Sequence, residues 1–210
     1  GVWGFMRRDA DFAWINLVNV GVQFCSFTIA LSLPYALPAA GWGGTATGAM
    51  LALWLLGVLV GSGAAPALLR CMSLRAADHG AQGVMALGLA WIGAVSMAKA
   101  WPFMALALLL QGVGLGVFQV VYADQVVARL PDSSRGLSGS LTLVSRTVGI
   151  VAAAMVWLWL MQWLQTQALA QGASPPQAIW AGTMGLTLWA SGVAWVLVGL
   201  SVWRQGRRAG

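Results

Sequence analysis

Asp124, Arg135 and Arg146 fall within one stretch, 111–149, that also carries Gln111, Gln119 and Tyr122 among apolar residues and glycines. A carboxylate and two guanidiniums so spaced suit an ion pair, a gate or the capture of an ionic substrate. The amides and the phenol are candidates to line a substrate path. Charged groups at the centre of a bilayer cost about 3 kcal/mol each, so they usually face a protein interior or a water-filled path. Gln111, Gln119 and Tyr122 share one helical face, at offsets of 8 and 11 residues, while Asp124, at 13, points nearly the other way. Thr142, Ser145, Arg146 and Gly149 form an i, i+3, i+4, i+7 face continued by Ala153. Arg146 lies roughly 20 Å along its helix if Asp132 or Ser133 is the cap. It is expected to face a polar path and pair with an acid or an anionic substrate group; a structural ion pair or a carbonyl-bonded anchor is the alternative. Asn16, Asn19 and Gln23 recur at i, i+3 and i+7 in an earlier helix. They either line the same path or hydrogen-bond to neighbouring helices.

Such groups need an apolar bundle to position them, and the composition supplies one. Of 210 residues, 60% are hydrophobic and only 8% charged, against about 25% charged in soluble domains. The expected class is an all-α membrane protein, a six-transmembrane-helix bundle with the lipid bilayer as its first partner. Spans are expected at about 12–37, 45–69, 81–98, 102–127, 134–165 and 178–203, with a lead-in at 1–11 and a basic tail at 204–210. Pro34 and Pro38 should end or kink the first span. Gly57 and Gly61 favour close helix packing in the second. The third, with almost no polar side chain beyond Ser96, fits a lipid-facing peripheral helix. Thr183, Thr187 and Ser191 repeat every four residues in the sixth as a packing stripe.

Arg7, Arg8, Arg70, Arg75, Arg129, Arg135, Arg204, Arg207 and Arg208 fall on one side of this layout and only Lys99 on the other. Positive residues stay cytoplasmic, which puts both termini inside; the expected location, a bacterial inner membrane, does not follow from the charges. Trp14 and Trp203 would mark the inner boundary, and Trp42, Trp101, Trp163 and Trp180 the outer one. The net charge of +6 does not argue for nucleic acid, because the basic residues are spread over alternating span ends. Cys25 and Cys71 have no metal-ligand spacing and read as packing residues; no cofactor or metal is expected. His79 falls in the loop before the third span and reads as solvated. The chain opens at Gly1 without a signal-peptide pattern and reads as a piece of a longer protein.

Arg135-Gly136-x-Ser138-Gly139 followed by Arg146-Thr147-Val148-Gly149, after the glycine-rich helix at 112–116, resembles the C-terminal half of major facilitator superfamily transporters. It is most similar to their drug:proton antiporter branch of multidrug efflux proteins. The lead-in Arg7-Arg8-Asp9-Ala10-Asp11-Phe12 resembles the start of that half, whereas 66–75 keeps the basic residues but lacks the family's Asp-Arg-x-Gly core. The resemblance implies that the first, second, fourth and fifth helices line a cavity, with the third and sixth outside. It implies transport of small hydrophobic or cationic organic compounds coupled to protons. Alternating access needs two such bundles, so a missing N-terminal half or a second subunit is implied. The alternatives are a non-transporting six-span subunit and an intramembrane serine protease. The latter would rest on Gly136-Leu137-Ser138-Gly139, but the last span has no histidine to activate Ser138.

Overall fold

A computed structural model describes residues 9–95, 100–130 and 137–209. These form six helices: α1 (Ala10–Ala39), α2 (Gly44–Cys71), α3 (Leu74–Ala94), α4 (Ala100–Arg129), α5 (Leu137–Ala170) and α6 (Pro175–Ala209). All but α3 are long and apolar enough to cross a bilayer, which marks the chain as an integral membrane protein.

Local chemistry sets the helix ends. Asp9 caps α1 by accepting from the backbone N–H groups of Asp11 (2.9 Å) and Phe12 (3.0 Å). Ser73 caps α3, accepting from the N–H of Ala76 at 3.2 Å. That cap starts α3 at Leu74 rather than at Ala81, so the expected loop residues Arg75, Asp78 and His79 are helical. With Gln82 they fill its first half with polar groups, which is why α3 does not qualify as a span. Gly41 and Gly172 each take φ 86° in the turns after α1 and α5, a region that suits glycine. Helix α1 runs through Pro34 and ends at Ala39, one residue past Pro38. The expected tail is also helical, since α6 reaches Ala209.

Helix α4 is the hub of one group, packed against α2 and α3; α1 packs against α5 and α6, and α3 against α6 joins the two groups. Glycines set the α2–α4 seam. Gly57 and Gly61 face the backbone of Leu109 and Val113, while Gly112 and Gly116 face that of Trp54 and Val58. Gly114 does the same toward α3, where a Cβ would lie 2.6 Å from Met85 N. In lipid there is little hydrophobic drive between helices, so close backbone approach of this kind holds them together.

The most buried side chains, among them Phe12, Met85, Leu89, Met104, Leu108, Phe118 and Tyr122, lie on α1, α3 and α4. By contrast α2 and α5 expose apolar faces, at Leu55, Leu59 and Val60 on one and Leu143, Met155 and Trp159 on the other. Trp180, expected at a boundary, is buried. Cys25 is buried and Cys71 exposed.

Candidate functional site

Five of the candidate path residues enter two hydrogen-bonded clusters along one face of α1. In the first, Tyr122 OH donates to Asn16 Oδ1 at 3.0 Å and meets Ser145 Oγ at 3.2 Å. Asn19 Nδ2 donates to Ser145 Oγ at 2.7 Å, and Gln23 Nε2 to Asn19 Oδ1 at 3.3 Å. Asn16 Nδ2 turns back to its own helix, donating to Phe12 O at 2.8 Å. The second cluster lies further along α1. There Gln111 Nε2 donates to Ser26 Oγ at 3.0 Å, Ser26 Oγ to Met85 Sδ at 3.2 Å, and Trp54 Nε1 to Gln111 Oε1.

Asn16, Asn19, Gln23, Ser26, Gln111, Tyr122 and Ser145 are all buried. The clusters tie α1 to α4 and α5, and α4 to α2. Gly149 adds to this by closing α5 onto α1, facing Val20 O and the side chain of Gln23. The glycine of the Arg146-x-x-Gly149 motif is therefore a close-contact residue. Such a set of neutral amides and hydroxyls can bind, orient and exchange hydrogen bonds.

The other candidates lie outside the clusters. Gln119 is half-buried and joins none of these bonds among the described residues. Asp124 and Arg146 are both exposed, and no ion pair joins them among the described residues. Arg146 departs from its expected face: Ser145 and Gly149 turn to α1, while Arg146 stands among exposed Leu143, Val144 and Val148. Arg135 and the rest of 131–136 lie outside the described residues, as do Ser96, Lys99 and the side chain of Ser138.

The reading of the third span as nearly free of polar groups is corrected by Gln82. It is buried on α3 and donates from Nε2 to Asp78 Oδ2 at 3.1 Å, while its Oε1 has no partner. The helix is not merely lipid-facing, for it packs on both α4 and α6, and Ser191 Oγ of α6 donates to Ala86 O at 2.9 Å. The sixth-helix stripe of Thr183, Thr187 and Ser191 is buried, as a packing stripe requires. Nor is His79 plainly solvated: its Nε2 is buried without a partner.

Asp78 lies in the polar opening turns of α3, outside the five spans. Burial pushes its carboxyl up from 3.8 to about 6, against hydrogen bonds from Gln82 and Gln125. A raised folded-state value means that the folded chain holds this proton more tightly than the unfolded one. The stability it brings is present below the unfolded value of 3.8 and is lost as pH rises through about 6. His79 acts in the opposite sense, its value lowered by burial and by the charge of Arg75. Asp78→Asn should therefore raise the thermal transition at pH 7.5 and remove the part of the pH dependence that falls between pH 4 and 6. Tryptophan fluorescence of the detergent-solubilised chain reads this; an unchanged profile would contradict the buried carboxyl.

No family model matches the chain, and no curated protein matches it significantly. Ser26, Trp54, Asp78 and Gln82 are the site residues missed by the sequence reading. Three had a signal: Ser26 continues the spacing of Asn16, Asn19 and Gln23, and Asp78 and Gln82 are four apart on one helix face.

Proposed function

We propose that the chain is one six-crossing half of a secondary transporter that exchanges hydrophobic or cationic organic compounds for protons by alternating access. Both termini would lie in the cytoplasm. The observation that carries this reading is Arg146. It stands nine residues (146 − 137) into α5, roughly 14 Å from the start of that helix, and it is exposed among apolar neighbours. A guanidinium held there against acyl chains is costly; a second bundle or an aqueous path across that face removes the cost. The buried amide clusters of α1 and α4 hold this bundle together behind the Arg146 face, and transporters of this architecture bind substrate between two such bundles.

The test is reconstitution of the chain with its companion bundle in liposomes containing a pH-sensitive dye. An imposed gradient of a lipophilic cation should drive counter-movement of protons. Absence of proton movement with the assembled protein would reject the reading and favour a non-transporting subunit.

A further inference from the structure

A cleft of about 660 Å³ opens between the ends of α1, α3, α4 and α6. Arg75, Arg129 and Arg204 line it, against one lining carboxylate, Asp11. Arg204 accounts for that carboxylate, lying 3.6 Å from Asp11 and over the ring of Trp14. Arg75 and Arg129 pair with no carboxylate among the described residues. The first turn of α3, at Ser73 and Leu74, also opens into the cleft, bringing backbone N–H groups and the positive end of a helix dipole.

A smaller inner compartment shares Trp14, Ile15, Gln125 and Gln205 with the cleft and ends at Ser201. Ser201 is only 2% exposed, yet its Oγ makes no hydrogen bond. Arg204 Nε is likewise buried without one. Asp78, the carboxyl that lines the inner compartment, is engaged by Gln82 and Gln125. The cleft thus gathers donors of positive charge, two of them without carboxylate partners, above a buried hydroxyl that also lacks one.

We infer that this cleft binds a phosphate group, as the free anion or as the diester of a lipid headgroup, between Arg75 and Arg129. Guanidiniums match phosphate oxygens by paired N–H donors, and helix N-termini add further donors. The chemistry is shared by two sources, the headgroup of an anionic phospholipid and free phosphate. Its place at the ends of helices that cross the bilayer puts it within reach of both.

Native mass spectrometry of the full chain from nanodiscs of mixed phosphatidylglycerol and phosphatidylcholine tests the first source. Thermal protection by inorganic phosphate in lipid-free detergent tests the second. The double variant R75Q/R129Q is compared with R70Q/R207Q, which removes the same charge outside the cleft; R75Q alone, at an exposed position, serves if the double variant folds poorly. The binding is expected to weaken roughly tenfold or more in R75Q/R129Q and to stay within about twofold in R70Q/R207Q. Loss of phosphatidylglycerol retention assigns the site to a headgroup, and loss of phosphate protection assigns it to the free anion. Equal losses in both double variants, or no preference of the unaltered chain for either phosphate source, would overturn the inference.

Discussion

Replacing Gly116 with valine is expected to abolish recovery of folded chain. A Cβ at this position would run into Val58 O and lie 2.8 Å from Ser62 N, both backbone atoms of α2. Backbone cannot rotate aside as a side chain can, so α2 must move bodily. It has little else to lean on, because α4 is its main neighbour. Overpacking a tight core costs about 1–3 kcal/mol, and more where nothing can yield. A valine here should exceed the upper figure. Gly61, against Val113, and Gly112, against Trp54, are part of the same seam, so the displacement opens several contacts at once. Size-exclusion chromatography and the thermal transition read the outcome. Gly63→Ala is the control: it is on α2, two residues from Gly61, has nothing within 4 Å of its added Cβ, and should leave the transition unchanged. A variant G116V as stable as the parent would mean that α2 and α4 do not meet at this seam.

Arg146→Leu should move stability and activity in opposite directions. On this chain alone the guanidinium is exposed among Leu143, Val144 and Val148. Removing it from lipid contact relieves about 3 kcal/mol on insertion scales. The isolated chain in lipid should therefore become more stable, by about 2–4 °C in the thermal transition for each kcal/mol. In the two-bundle transporter proposed above, the same change should reduce substrate-driven proton movement at least roughly tenfold, because the charge that α5 carries on that face would be gone. A structural anchor would behave differently: stability would fall along with activity. The two readings thus separate on the sign of one measurement.

The all-helical membrane class was legible because apolar runs of bilayer length cannot be hidden in a small soluble domain; the sixth expected span was not, since five described helices are long and apolar enough to cross. The buried face of α1 was legible too, since Asn16, Asn19 and Gln23 repeat with the period of a helix. Three other things were not legible. The start of α3 depended on Ser73 as a cap, a local hydrogen bond that the polar residues after it masked as a loop. Ser145 and Arg146 are adjacent and together suit a polar face, yet only packing against α1 decides that the first turns in and the second out. The cleft at the basic end draws on four helices far apart in sequence, and no local spacing announces it. Arg75, Arg129 and Arg204 were counted for the orientation of the chain; that they converge is a property of the tertiary structure.

The two thiols have a practical consequence. Cys25 is sealed inside the bundle, whereas Cys71 sits exposed as the last residue of α2, directly before the two-residue turn, Met72 and Ser73, into α3. A bulky, charged maleimide added to sealed vesicles would find only one nucleophile to alkylate. The native chain therefore carries a built-in reporter of which face of the membrane its arginine-rich end occupies, with no engineered cysteine required.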